Sequence, residues 1–214
     1  FFGNPQVGTP LIQKDQLIAL DLPQKILTFD LDNNSYLYRL STSYLADRYT
    51  VSFSELSKMT FALDGLSQKI ADNQNRDMES PDVKEHRGII TLKSNKTFGQ
   101  AVEAIQNQIK NAERINIMAE LDHQKNAHSV DMQLRPTHVI MFGNPQVGIP
   151  LMQENRSVAV ELPMKLLIYE KANGDVKIAY KDMQFLFNRY KVNLEENYGS
   201  KVNQILKKIA TSAI

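Results

Sequence analysis

The chain has 214 residues, which suits one or two domains, and 42% of them are hydrophobic, enough for buried cores. No apolar run approaches the roughly 18 residues of a membrane-spanning helix. The 25 Lys and Arg residues balance 24 Asp and Glu residues, so the net charge of +1 gives no electrostatic footprint for nucleic acid. The absence of cysteine excludes disulfides, thiolate nucleophiles and cysteine-ligated metals.

A segment rich in Gly and Pro opens the chain and occurs a second time. FGNPQVGTPLIQ at residues 2–13 returns as FGNPQVGIPLMQ at residues 142–153, and ten of the twelve positions are identical. The similarity continues in three later pairs of segments, namely residues 22–25 and 162–165, 48–51 and 189–192, and 69–71 and 208–210. A repeat of about 140 residues indicates a duplicated domain rather than a solenoid.

The two copies are unequal in length. We predict that residues 1–71 form the C-terminal half of a first copy, that residues 72–86 form a polar linker, and that residues 87–214 form a complete second copy. The first copy has no visible counterpart of residues 87–140. A preceding segment, a bound cleaved fragment or strands from another chain could complete it, and we favour the preceding segment.

The first half of the second copy alternates short strands with polar turns. Gly88–Leu92 is apolar and β-branched, as in a strand. Thr97 and Gln100 form a capping-box pattern, followed by apolar residues at helical spacing. Ile115–Leu121 alternates as a half-buried strand does, and the polar stretch Asp122–Ser129 predicts a turn.

The second half contains the repeated segment. We expect a structured loop at Gly143–Gly148 and a helix at about Pro150–Asn155, because Pro150 cannot donate a helical hydrogen bond. The other predicted elements are strands at residues 137–142, 157–162, 164–170 and 176–180, a hairpin turn at 172–175, and helices at 183–190 and near 202–213. The predicted fold is α+β, with helices packed on a mostly antiparallel sheet in the order β-α-β-β-α-β-β-α.

Several separated motifs of the second copy carry a resemblance to a known family. They are Asp122–His123, Leu134–Arg135–Pro136–Thr137, Phe142–Gly143–Asn144–Pro145, Leu162–Pro163 with Lys165, Gly174, Asp182 and Arg189. In this order the chain resembles the bacterial and archaeal domain-of-unknown-function 302 family. The resemblance implies a compact α+β fold similar to the TATA-binding-protein-like group, and a tendency to form dimers. It implies no established activity.

The chain departs from the family pattern at positions that could carry chemistry. Other branches place cysteines where this chain has Gly143 and Met164, and histidine is common where it has Tyr49 and Tyr190. These departures argue against a shared metal or redox site. The spacing of the histidines also forms no metal-binding motif, and no motif indicates a cofactor.

Asp122, His123 and Arg135 are the best candidates for a polar cluster. They lie at neighbouring strand ends, where a carboxylate could orient the imidazole for acid–base chemistry and Arg135 could hold an anionic group. The alternative is structural: Asp122 and Arg135 form an ion pair, and His123 bonds the backbone of the Gly143 loop. We expect a ligand, if one binds, to contact His123, Arg135, Gly143, Asn144 and Lys165.

Two functions follow from these patterns. The first is a non-catalytic binding or assembly module of two related domains packed as a pseudo-dimer, which takes a small-molecule or protein ligand. The second is a hydrolase-like or lyase-like enzyme that uses His123, Asp122 and Arg135. The first is favoured, because no nucleophile motif, metal set or cofactor motif is present. We expect a homo-oligomer or an intramolecular pseudo-dimer, and the non-Met start together with the resemblance favours a periplasmic or secreted location.

Overall fold

A computed structural model describes residues 1–71, 84–195 and 197–214. The first copy contains α1 (Pro5–Lys14), the 3-10 helix η1 (Gln16–Asp21), β1 (Leu27–Leu31), β2 (Asn34–Tyr38), α2 (Thr42–Arg48) and α3 (Phe53–Ile70). The second copy contains β3 (Ile89–Lys93), α4 (Phe98–Lys110), β4 (Asn116–Asp122), α5 (His123–His128), β5 (Thr137–Gly143), α6 (Pro145–Glu154), the 3-10 helix η2 (Arg156–Glu161), β6 (Met164–Glu170), β7 (Val176–Lys181), α7 (Met183–Tyr190) and α8 (Tyr198–Thr211).

Most of the predicted linker, residues 72–83, lies outside the described residues. The last three residues of the linker are described, and His86 is hydrogen-bonded to the first copy. The backbone N–H of His86 donates to the carbonyl of Arg48, and its Nε2 lies 2.7 Å from Oδ2 of Asp15. The chain therefore enters the second copy from a fixed point on the first.

The second copy is built on a five-stranded antiparallel sheet in the order β3-β7-β6-β5-β4. Helix α4 packs against β4, β5 and β6, and η1 of the first copy also packs against β5, β6 and β7. Because side chains alternate across a sheet, full burial of β6 except at its last residue requires cover on both faces. The first copy thus supplies one face of the core of the second. The α+β class is confirmed.

Several local predictions hold at the level of individual side chains. Thr97 and Gln100 form a reciprocal capping box at the start of α4. The turn between β6 and β7 contains Gly174 at a φ of +80°, a backbone conformation that favours glycine. Capping and turn signals depend on neighbours in the sequence, so these predictions hold independently of the tertiary packing.

The predicted loop at Gly143–Gly148 is wrong, because α6 runs through it from Pro145 to Glu154 with Pro150 inside. Asn144 caps the helix by accepting the N–H of Gln146 at 2.9 Å, and Pro145 suits the first turn. Pro150 removes the helical bond to Gln146, but that residue is exposed, so water can satisfy its carbonyl. Helix α1 repeats this arrangement around Pro10.

Two other segments are also helical where extended or irregular backbone was predicted. Ser157–Leu162 is not a strand, since η2 covers nearly all of it. The side chain of Asn155 accepts both the N–H and the hydroxyl of Ser157, which starts the turn. The predicted turn at Asp122–Ser129 is mostly the short helix α5, because Oδ1 of Asp122 caps it through the N–H of Lys125.

Within the described residues 1–71, the first copy forms a two-stranded antiparallel sheet, β1-β2, and every residue of the two strands is exposed or half-buried. Beside it, Phe2 forms an isolated antiparallel bridge with Gln24. The bridge matches the pairing of Phe142 with Met164 in the second copy. The repeated sequence therefore gives the same local pairing in both copies.

Candidate functional site

Two buried carboxylates, one from each copy, share a single lysine where the copies meet. Asp21 and Glu161 occupy equivalent positions of the repeat, at the ends of η1 and η2. Nζ of Lys181 donates to Oδ1 of Asp21 and, at 2.6 Å, to Oε2 of Glu161. All three side chains are buried. One lysine thus contacts two anions that belong to different copies, and the buried Arg48 adds a second cation, with its Nε 4.0 Å from Oδ2 of Asp21.

Equivalent tyrosines, one in each copy, donate a hydrogen bond to the carboxylates. Tyr49 donates its hydroxyl to Asp21 at 2.5 Å, and Tyr190 donates to Glu161 at 2.9 Å. Burial, the largest single effect, would raise the pKa of each carboxyl, but the charge and hydrogen bond of Lys181, together with Arg48 at Asp21 and Lys25 at Glu161, hold both pKa values below their usual range. Burial would likewise lower the pKa of Lys181, and the two carboxylates raise it instead. The three groups are therefore charged together.

Two equivalent lysines cross between the copies. Lys25 donates to the carbonyl of Leu162 at 3.0 Å, and Lys165 donates to the carbonyl of Leu22 at 2.9 Å. Burial lowers the pKa of Lys25 to about 8 and that of Lys165 well below its ordinary value. Each copy thus supplies a backbone acceptor to the lysine of the other.

The arginines of the repeat make a similar exchange with aromatic rings. The Arg48 guanidinium lies 4.7 Å from the ring centroid of Phe185 in the second copy. The Arg189 guanidinium lies 3.8 Å from the ring centroid of Tyr44 in the first copy. Cations over aromatic faces are attracted to them, most strongly when both are shielded from water. These pairs fix the two copies in one relative position.

A cavity of about 470 Å³ opens beside this contact, between α1 and α3 of the first copy and the β4–α5 junction of the second. Its apolar walls come mainly from Phe2, Val7, Ile12, Leu22, Met59 and Leu121. The corner of the first repeated segment, Gly3 to Pro5, forms part of the rim. None of the described residues that line the cavity has an acidic or basic side chain other than His123.

Two buried polar atoms at this cavity have no hydrogen-bond partner within the described part of the chain. They are Nε2 of His123 and Oε1 of Gln24, in side chains that are 9% and 3% exposed. The amide nitrogen sets the orientation of the Gln24 side chain, because Nε2 donates to the carbonyl of Asp21 at 2.8 Å. Buried polar groups are normally paired. Although Gln24 and His123 line the cavity, these two atoms are inaccessible to water, so neither is open to a ligand there.

Burial lowers the pKa of His123 from its ordinary 6.5 to about 4, and the positive charge of Lys165 adds to that effect. The nearby Asp122 carboxylate opposes the shift but does not cancel it. His123 is therefore neutral at physiological pH, and its imidazole can donate or accept one hydrogen bond at Nε2 according to its tautomer.

Of the predicted acid–base cluster, only His123 lines the cavity. Asp122 caps α5, and Nη2 of Arg135 lies 3.5 Å from Oε1 of Gln16 in the first copy. Gln16 in turn donates to Oγ1 of Thr137 at 3.0 Å. The structure brings Arg135 to the contact between the copies rather than to the imidazole. The predicted ion pair of Asp122 with Arg135 is also not among the contacts of the described residues.

Each of the remaining ligand-binding candidates has a contact of its own. Asn144 caps α6, Gly143 lies against Met118, and Lys165 is bonded to the first copy. Their equivalents Gly3 and Asn4 do line the cavity. The sequence predicted the Gly143 corner beside His123, whereas the corner that lines the same cavity as His123 is Gly3 to Pro5 of the first copy.

Sequence reasoning missed Gln24 and the shared charge network. The signal for the network was in the repeat itself, since Asp21 and Glu161 recur at one position beside equivalent lysines and tyrosines. Gln24 carries no such signal, because Met164 occupies its position in the second copy. Across the residues that the structure describes, no group of three or more metal-ligating side chains is placed to hold a metal ion.

The fold and the cavity define a duplicated α+β protein with a candidate binding site between its copies. The chain belongs to the family described as Domain of unknown function DUF302, whose model matches residues 1–70 and 90–212. Two matched segments are consistent with a tandem arrangement of the family domain.

The chain is similar in fold to the crystal structure of an uncharacterized conserved protein DUF302 from Bacillus stearothermophilus. The TM-score is 0.54 at 17% sequence identity, and the match covers 60% of this chain and 99% of that one. At this identity the likeness concerns the fold alone.

Two curated relatives are proteins named as fluoride-specific ion channels. FluC 1 of Brucella suis biovar 1 is 30% identical over 114 residues, which cover 53% of this chain and 44% of that protein. FluC 2 of Brucella melitensis biotype 1 is 30% identical over 114 residues, or 42% of its length. The chain thus spans less than half the length of these relatives. Among the described helices, none is both long enough and apolar enough to cross a membrane.

Proposed function

We propose that the chain is a non-catalytic binding module, in which two related domains pack as a pseudo-dimer and hold a small molecule between them. The cavity between the copies, with its mainly apolar walls, is the observation that carries this proposal. Its volume falls within the range of small-molecule sites, about 300–1,000 Å³. A ligand that fills the cavity would remove its apolar walls from water.

The reciprocal contacts between the copies support the pseudo-dimer. Two equivalent residue pairs, the lysines and the arginines, make the same kind of contact across the boundary, and Lys181 of the second copy contacts the acid of each copy. An intramolecular pair of this kind resembles an isologous dimer interface, where a patch meets its own counterpart. The arrangement would hold the cavity walls at a constant separation, which favours ligand binding because little ordering is needed.

The binding role is favoured over the hydrolase-like or lyase-like alternative by the surroundings of His123. An acid–base imidazole needs a partner that orients it and a pKa near the working pH. Asp122 and Arg135 are engaged elsewhere, and burial lowers the pKa of His123 to about 4. These features suit a neutral hydrogen-bonding group rather than a proton carrier.

Filling the cavity from α3 should abolish binding. Ala62 lines the cavity, and Ala62→Trp would place an indole where the ligand lies. N-phenyl-1-naphthylamine, a neutral apolar dye, should bind the natural chain at one saturable site, and the variant should bind it at least about tenfold more weakly because the cavity volume is occupied. Fluorescence titration measures both affinities.

Ser57→Trp is the matched control, since Ser57 is exposed on the same helix and does not line the cavity. It should leave dye binding unchanged. Non-saturable dye binding to the natural chain, or equal weakening by both variants, would contradict the proposal.

A further inference from the structure

We propose that the edge of β1 away from β2, over residues 26–30, is a strand-binding edge. Its partner is an extended segment joined to the N-terminal side of Phe1, which we call the added strand. The added strand pairs antiparallel with β1, as β5 pairs with β6 in the second copy. This pairing needs no ligand in the cavity, so it is independent of the proposed binding function.

The strand-binding edge is open in the part of the chain that the structure describes. There β1 pairs with β2 along one edge and with no strand along the other. The N–H of Phe2 donates to the carbonyl of Gln24 at 3.0 Å. Because backbone groups alternate between the two edges of a strand, those of Ile26 and Thr28 point the same way as those of Gln24. Such a row of unpaired groups is a template for a further strand.

The second copy gives the register of the added strand. Phe142 pairs with Met164, and β5 continues from that pair along β6. Phe2 and Gln24 occupy the equivalent positions of the repeat and form an antiparallel bridge. A segment that enters Phe2 as β5 enters Phe142 would therefore run along β1 without a turn.

The far end of each strand receives the same kind of contact from the other copy. Gln16, the first residue of η1, donates to the carbonyl of Glu170 at 3.1 Å. Arg156, the first residue of η2, donates to the carbonyl of Asp30. The two donors are equivalent in the repeat, and so are the two acceptors. Gln16 also donates to Oγ1 of Thr137 in β5, so Arg156 is the group that would bond the equivalent residue of the added strand.

Burial indicates the side chains that the added strand needs. Leu167 and Tyr169 of β6 are buried, whereas the equivalent Leu27 and Phe29 of β1 are only half-buried. These two residues lie on the face of β1 towards the second copy, since Lys25, two residues earlier, bonds to that copy. Opposite residues of antiparallel strands share a face. Apolar or small side chains opposite Leu27 and Phe29 would therefore complete the burial of this face.

A segment joined to Phe1 fits this edge better than a strand from another molecule. The bridge of Phe2 with Gln24 already holds the neighbouring backbone at the first pair, so only the added residues need to be ordered. A linked strand also has a high effective concentration at the edge, whereas a free strand loses translational freedom when it binds.

Adding Thr-His-Val-Ile, the sequence of residues 137–140, in front of Phe1 tests the pairing. In the register of the repeat, the added Ile lies opposite Ile26 and the added His lies opposite Thr28. Amide hydrogen exchange of Ile26 and Thr28, measured by NMR, should slow at least about tenfold relative to the natural chain, because their N–H groups become bonded. The N–H groups of Leu27 and Phe29 point to β2, so their exchange should change less.

Thr-Pro-Val-Pro in front of Phe1 is the matched control. It keeps the Thr and Val that would face the second copy, but proline has no N–H to donate to the carbonyls of Ile26 and Thr28. Exchange at both residues should stay as fast as in the natural chain. Unchanged exchange after addition of Thr-His-Val-Ile, or equal slowing by both additions, would overturn the proposal. Protection of Ile26 and Thr28 that rises with the concentration of the natural chain would also overturn it, because a second copy would then occupy the edge.

Discussion

Replacing Lys181 by Met should lower the free energy of unfolding by about 3–5 kcal/mol, the usual cost of leaving buried charges without their partner. The side chain has a similar length, so the change removes the charge and little packing. Asp21 and Glu161 would then face each other in a buried site without the cation that both contact. Urea denaturation of the purified chain measures the loss.

Removing one anion together with the cation should recover much of that stability. The double variant Glu161→Gln, Lys181→Met leaves Asp21 opposite the buried Arg48, whose Nε lies 4.0 Å from Oδ2 of Asp21, so the remaining charges balance, and such replacements are often close to neutral in stability. Lys171→Met, at the exposed turn after β6, is the control and should have little effect. A Lys181→Met variant as stable as the control would mean that the shared lysine does not hold the copies together.

Acid should destabilise the chain through His123 between about pH 6.5 and 4. The imidazole is buried and neutral, with its pKa lowered from 6.5 to about 4 by burial. Because the unfolded chain takes up the proton first, this stabilisation is complete above pH 6.5 and is lost as the pH falls towards 4. The difference between the two pKa values corresponds to a loss of about 3 kcal/mol.

His123→Phe should remove that dependence and leave stability flatter across the same pH range. His128→Phe changes an exposed histidine of the same helix and should retain the full dependence. The buried carboxylates do not contribute to the change in stability over this pH range. Their pKa values are lowered in the folded chain, so they lose stability only as the pH falls below the ordinary range of carboxyl groups, near 4. Identical pH profiles for the two variants would show that His123 is not buried as described.

Local signals in the sequence predicted most of the second copy. The capping box at Thr97, the turn at Gly174 and the strand pattern of residues 164–170 all depend on near neighbours, and all are present. The wrong predictions concern segments where a hydrogen bond to one side chain determines the backbone conformation, whatever the hydrophobic pattern of the segment. Asn155 and Asp122 each start a helical turn by accepting a backbone N–H, and a count of alternating apolar residues does not detect that bond.

The Pro150 error has a different cause. The rule that proline breaks a helix counts a lost hydrogen bond, but its cost depends on where the orphaned carbonyl lies. Gln146 is exposed, and the strong cap at Asn144 and Pro145 offsets the loss. Pro10 lies at the equivalent position in α1. The repeat therefore indicated that both segments have the same backbone conformation, but it did not indicate that this conformation is a helix.

The site was predictable only in part because it lies between the copies. His123 was identified from its own neighbours, and the Gly-Asn-Pro corner from its repetition. Which corner would meet His123 depends on how the copies pack, and that is decided by contacts over 100 residues apart in the chain, such as Lys165 with Leu22. Lys25 and Lys165 fit the pattern of solvated strand lysines, yet both cross the boundary instead.

A crystal structure of the chain with N-phenyl-1-naphthylamine tests the central claim most directly. One molecule should lie in the cavity between α1, α3 and the β4–α5 junction. Its rings should contact Phe2 and Leu121, which line the cavity from different copies. A dye molecule bound only elsewhere, or a cavity that stays empty at saturating dye, would contradict a ligand site between the repeats.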